Sequence, residues 1–137
     1  MQKSFYVNTN DKEDVIDITR EVVKIVKESG IDTGIVNIFI QGATASIAIQ
    51  ENSEGIVQNQ SLLLLDDLLR NKQSGGAMQA DTDNITAHMK ANILGPSKTI
   101  PVTAGKLGIS IWQSILLYEF DGPRKRRTVV VTICRSN

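Results

Sequence analysis

Two side chains stand alone in this sequence: the single histidine, His88, and the single cysteine, Cys134. Imidazole is the side chain whose ordinary pKa lies nearest neutrality, which makes His88 the first candidate for moving a proton. That role needs an oriented partner, and Glu51 and Glu119 are the carboxylates considered for it; Glu51 is itself a candidate acid or base. Holding a transition metal is a harder task. Zinc in a protein normally takes about four donors, and one imidazole does not supply them. His88, Glu51 and Asp81 or Asp83 form a donor set that nothing in their spacing requires. The expectation is therefore no metal and no other cofactor. Cys134 follows Val129-Val130-Val131-Thr132-Ile133 and reads as a buried strand residue, or one near a terminus, with no imidazolium or helix start beside it to activate the thiol.

Anion recognition is the other chemistry on offer. Arg124-Lys125-Arg126-Arg127 is the one basic run, and a guanidinium can grip phosphate through a two-pronged fork. Along a strand, Arg124 and Arg126 would point one way while Lys125 and Arg127 point the other, so the run makes no continuous basic surface. Arg124 follows the stiff turn Asp121-Gly122-Pro123 and is the candidate phosphate ligand. Lys125 and Arg127 read as charges that protect a strand edge and pair with carboxylates across a subunit contact. Lys90 and Ser97 are further candidate anion donors. Trp112 and Gln113 read as braces of the core or of a subunit interface.

The elements that must position these groups follow from periodicity. Lys3 to Val7 predicts a first strand. Val15, Ile16, Ile18, Val22, Val23, Ile25 and Val26 recur at three- and four-residue steps, predicting an amphipathic helix from Glu13 to Glu28 closed by Ser29-Gly30. Ile35 to Ile40 and Ser46 to Gln50 read as strands, and Glu54 to Asn71 as a second helix. Lys72 to Asp83, with Gly75-Gly76, is a predicted loop, and Ala87 to Leu94 a short helix carrying His88 and ended by Gly95-Pro96. Thr99 to Thr103, Leu107 to Ile109, Gln113 to Phe120 and Thr128 to Cys134 read as strands joined by consecutive hairpins. The predicted fold is α+β: a largely antiparallel sandwich with two main helices and one short one, forming a single domain over residues 1–137.

Composition narrows the function classes. The 15 basic and 15 acidic residues cancel, so no global field draws the chain to nucleic acid or an anionic membrane. Aromatic side chains that could stack on bases are scarce. The longest apolar run, Leu62 to Leu65, is far too short to span a bilayer. The single cysteine and the polar N-terminus fit a cytoplasmic protein with no membrane or nucleic-acid partner.

Ala87-His88-Met89-Lys90-Ala91-Asn92-Ile93-Leu94-Gly95-Pro96-Ser97, followed by Ile100-Pro101-Val102 and Gly105-Lys106-Leu107, resembles the signature of the YjbQ-like family. Trp112-Gln113 and Glu119-Phe120-Asp121-Gly122-Pro123-Arg124 resemble its WQ and EFDGPR elements. Thr44-Ala45-Ser46 and Glu51 resemble its upstream strand region. The resemblance implies an α/β sandwich, a closed homotrimer and a site lined by histidines and carboxylates, and it ties some members to a secondary thiamine-phosphate synthase activity. It adds Thr44 and Asn84 to the candidate ligand-binding residues. Mapped onto this chain, two of the expected histidines are replaced by Gly42 and Met78, and only His88 is kept; Gln50 and Gln60 stand where an asparagine and an acidic residue are expected. Glycine has no donor, and the thioether of methionine is a soft, weak one. The expectation is a divergent member with a depleted site, weakly active or inactive, retaining a pocket for a small phosphorylated ligand. Two alternatives are an active transferase making thiamine phosphate and a non-catalytic partner of a paralogue.

Overall fold

The computed structural model describes residues 1–70 and 82–137. Strands β1 (Gln2–Val7), β8 (Arg127–Arg135), β3 (Gly34–Gln41), β5 (Ser97–Thr103) and β6 (Lys106–Leu107) form one sheet in that spatial order. β2 (Asp14–Asp17), β7 (Ser114–Glu119) and β4 (Ala45–Gln50) form a second. All neighbouring pairs are antiparallel. The helices are α1 (Thr19–Ser29), α2 (Ile56–Arg70) and α3 (Thr82–Leu94).

Residue alternation explains the layering. In the small sheet, Ile115 and Leu117 of β7 and Ile47 of β4 join α1 and the large sheet in the main core, whereas Leu116, Tyr118 and Ala48 pack with Leu65, Ala87 and Ala91 of α2 and α3. A sheet covered on both faces needs apolar side chains in both phases, which accounts for the unbroken run Ile-Leu-Leu-Tyr in β7. The large sheet is covered on one face only: β3 alternates buried Val36, Ile38 and Ile40 with exposed Ile35 and Phe39.

The fold class is the α+β sandwich that the periodicities predict, and three details differ. Asp14–Asp17 is a strand at the edge of the small sheet rather than the start of a helix, because Val15 and Ile16 pack into different clusters on its two faces. Asp17 then ends the strand and accepts the backbone N–H of Thr19 at 2.9 Å, opening the shorter α1. The helix carrying His88 is thirteen residues long, its polar first turns having masked it in the sequence. The last strands are not successive hairpins: β7 pairs with β2 and β4, while β8 pairs with β1 and β3. The rest of the predicted loop, with Gly75-Gly76, Met78 and Asp81, lies outside the described residues.

Ile47 is fully buried between the two sheets. Ile47→Ala should lower unfolding free energy by about 2–5 kcal/mol, read from urea denaturation with an unchanged m-value.

Candidate anion-binding site

Glu119 is the last residue of β7 and Arg127 the first of β8, and both take the inward phase of their strands, in step with Ile115 and Leu117 and with Val129 and Val131. They therefore meet at one end of the space between the sheets. Glu119 is 0% exposed and Arg127 6%. Arg127 Nε donates to Glu119 Oε1 at 2.9 Å and Nη2 donates to Oε2 and to Thr44 Oγ1, the latter at 2.8 Å. Glu119 also accepts Thr9 Oγ1 at 2.8 Å and the Asp121 backbone N–H at 3.0 Å. Burial by itself would raise this carboxyl's pKa; the hydrogen bonds of Arg127, Asp121 and Thr9, with the Arg127 charge, outweigh it and hold the pKa below the ordinary glutamate range.

One nitrogen of the guanidinium remains. Arg127 Nη1 has no hydrogen-bond partner among the described residues and points at Gly42, where an added Cβ would come within 2.6 Å of it. Gly42 has φ +132°, a conformation that L side chains rarely adopt. Gln58 Oε1 is the only fully buried, unpartnered side-chain polar atom among the described residues; Nη1 is thus not wholly enclosed, although Arg127 is 6% exposed.

Gly42 in turn lines a cavity of about 300 Å³, with Ala43, Ala45, His88, Ala91, Asn92 and Pro96. Small residues make it. Ala87 and Ala91 let α3 approach β4, Ser46 Oγ donates to the Ala91 carbonyl at 2.9 Å, and Lys98 Nζ ties the carbonyls of Leu94 and Ile47 together at 2.9 Å each. Burial lowers the pKa of that lysine.

The sequence-predicted residues are scattered around this centre. His88 lines the cavity, and Thr44 adjoins it, buried and bound to Arg127. Glu51 lies past the far end of β4, a six-residue strand spanning roughly 20 Å, so it is no partner for His88. Glu119 is not one either, being committed to Arg127. Arg124 is turned back onto its own loop, its Nε donating to the Asp121 carbonyl at 2.9 Å and its Nη2 lying 3.4 Å from the Asp121 carboxylate. Lys90 is buried between Glu13 at 2.8 Å and Asp66 at 3.4 Å, which leaves it no geometry for an anion. Asn84 donates to Asp121 at 2.9 Å, and Ser97 is half-buried at the start of β5. Trp112 is 67% exposed rather than in the core, and Cys134 is exposed rather than buried. Arg127, read as an edge charge, is instead the buried anchor of this end of the fold. Its inward phase in β8, and a lone glutamate in the apolar run of β7, were the signals for that pairing. Among the described residues no group of three His, Cys, Asp or Glu side chains is placed to hold a metal ion, and no helix is long and apolar enough to cross a membrane.

These features define a small α+β sandwich with a cavity at one end, lined in part by His88 and by Gly42, beside which the buried Arg127 lies. The chain belongs to the YjbQ-like UPF0047 family, whose model matches residues 3–136. It is 33% identical to a UPF0047 protein of Methanocaldococcus jannaschii over 129 residues, 94% of this chain and 91% of that one. It is 35% identical to YugU of Bacillus subtilis over 127 residues, 92% and 94% of the two chains. A crystal structure of a YbjQ-like protein from Sulfolobus solfataricus superposes with a TM-score of 0.87 at 33% identity, covering 99% of this chain and 97% of that one. A family protein from Clostridium acetobutylicum gives 0.86 at 36% identity, covering 96% and 99%.

Removing one member of the buried pair strands the other. Arg127→Met should cost about 3–5 kcal/mol of unfolding free energy, measured in urea at pH 7. Because the folded pKa of Glu119 is depressed, its contribution is complete above the ordinary glutamate value of 4.5 and drains away as pH falls through the folded value. Stability measured against pH should fall less steeply below that point in Glu119→Gln than in the wild type.

Proposed function

We propose that this chain binds a small oxyanion, a phosphate group being the best fit, in the cavity beside His88, and that it does so as a divergent family member with a depleted site rather than as an efficient transferase. The observation that carries this is the unpartnered Nη1 of Arg127 beside Gly42, itself one of the residues lining the cavity: a fixed positive charge with unused N–H donors one residue away from that space. His88 adds a second donor from α3. Among the described residues no carboxylate lines the cavity to orient that imidazole, so the support for proton transfer is weaker than the support for binding. The exposed cysteine, free of any disulfide, suits a cytoplasmic setting.

Calorimetry with inorganic phosphate and pyrophosphate tests the reading. Hydrogen bonds to a charged group are worth about 1.5–3 kcal/mol, so Gly42→Ala, which forces Nη1 away, and His88→Ala should each weaken binding about tenfold or more. Equal affinity in all three proteins would sink the proposal. The active-transferase alternative predicts rescue of a thiamine-auxotrophic bacterium, abolished by His88→Ala; we expect no rescue.

The same reading includes self-association, with the homotrimer as the expected form. It is supported by the outer face of the large sheet, where Gln2, Ser4 and Tyr6 of β1, Thr128, Val130, Thr132 and Cys134 of β8, Ile35, Asn37, Phe39 and Gln41 of β3, and Ser97, Thr99, Pro101 and Thr103 of β5 share one phase. None of these is charged; the charges on this face lie at its margins, Lys106 of the edge strand β6 sharing the phase of Thr103 and the Arg126 guanidinium lying 4.9 Å from the Tyr6 ring centroid. A solvated sheet face ordinarily carries charges, whereas a face covered by another copy of the chain does not. Light scattering should give three times the mass of one chain, and Phe39→Lys should reduce it to a monomer; a monomeric wild type would refute this.

A further inference from the structure

The segment between β6 and β7 holds a turn, Ser110 to Gln113, that is fixed by its own hydrogen bonds. The Gln113 backbone N–H donates to the Ser110 carbonyl at 3.1 Å, the Ser110 N–H to Gln113 Oε1 at 2.9 Å, and the Trp112 N–H to Ser110 Oγ at 3.2 Å. The backbone and the side chains of Ser110 and Gln113 do all of this; the Ile111 and Trp112 side chains take no part. These two central residues are 91% and 67% exposed. Turn centres are ordinarily Gly, Asn, Asp, Ser or Pro, for reasons of backbone conformation and hydrogen bonding. Two large apolar side chains held out on a rigid support are what a contact surface presents, since their ordering cost is already met.

A space of matching character lies in the same chain. Val23 and Val26 of α1, with Leu107 and Ile109, line an apolar cavity of about 490 Å³. Lys27 and Lys106 also line it, and among the described residues no carboxylate does. An indole suits such walls, offering a large apolar area and a ring face that attracts an ammonium. The turn does not fill the cavity of its own chain, because Ile111 stands almost wholly in solvent only two residues beyond Ile109. The cavity also adjoins the outer face of the large sheet: Ala104 and Gly105, which line it, directly follow Thr103, the last residue of β5.

We propose that the Ile111-Trp112 turn of one copy enters the cavity between α1 and β6 of the next, closing the ring of three at the margin of the outer sheet face. This rests on the self-association reading and names the side chains that complete it. A buried indole covers roughly 150–250 Å², well short of the about 800 Å² per partner that a stable interface needs, so the turn extends the sheet-face contact rather than replacing it. Turn and cavity are different patches of one surface, and contacts of that kind build rings when the rotation closes.

Cysteine pairing in full-length chains that carry Cys134→Ser tests the contact. Val23→Cys on one tagged copy and Ile111→Cys on a differently tagged, co-expressed copy should form a disulfide between the two tags on mild oxidation, at least tenfold more than either variant forms with itself. Trp112→Ser should raise the concentration at which the assembly dissociates about thirtyfold or more in light scattering, with an unchanged circular dichroism spectrum. An assembly of three that gives no disulfide between the tags, or whose dissociation Trp112→Ser leaves unmoved, would overturn the turn-in-cavity contact and leave the sheet-face reading standing. A wild type that stays monomeric overturns both.

Discussion

The buried pair of Arg127 and Glu119 is the constraint around which one end of this protein is arranged. Removing two charges from water is costly, and their mutual attraction repays that cost only when the remaining donors and acceptors are satisfied. Here the satisfaction comes from four separate segments: Thr9 after β1, Thr44 before β4, the Asp121 backbone after β7, and the paired side chains themselves. Thr9 Oγ1 in turn accepts the backbone N–H of Arg124 at 2.8 Å. The network thus pins three loops to one point. Such a pair acts less as a source of net stability than as a condition on geometry, because each partner must arrive where the others leave a gap.

That condition is met because the small sheet is held on both faces. Its inward phase reaches the large sheet and ends in Glu119; its outward phase meets α2 and α3. Moving β7 by one residue would reverse both phases at once, placing Glu119 among Leu65 and Ala87 and Phe120 against Arg127. The apolar packing of five strands and two helices therefore selects the register that brings the charges together. The same register sets the wall of the cavity beside His88, since Ser46 of β4 bonds to the Ala91 carbonyl of α3.

Much of this architecture was legible in the sequence. Strands β1, β3, β4, β5 and β8 and helix α2 follow from β-branched alternation or leucine-rich helical spacing. Asp14–Asp17 was not legible, because its two apolar residues serve opposite faces and mimic the start of the helical stripe that follows. The site was less legible than the fold. Family motifs pointed to Arg124 and Lys90, yet both are absorbed by neighbouring carboxylates, which no local pattern announces. Arg127 looked like one member of a solvated basic run, although its position two residues ahead of Val129, in the phase shared by Val131 and Ile133, made it inward-facing. What stayed hidden was its partner, eight residues back across a turn.

The side chains present at this end of the sandwich have a chemical consequence. An imidazole can accept and release a proton near neutral pH, whereas a guanidinium remains protonated throughout. With glycine at position 42, the space in front of the strand end is occupied by Arg127 Nη1, a permanently charged donor that cannot take a proton from a ligand. Among the described residues lining the cavity, His88 is the one ionisable side chain, and it comes from a different element, α3, with no carboxylate among those residues to fix its tautomer. The groups that are rigidly positioned here are the ones that cannot move protons, which is the property the proposed oxyanion-holding role requires.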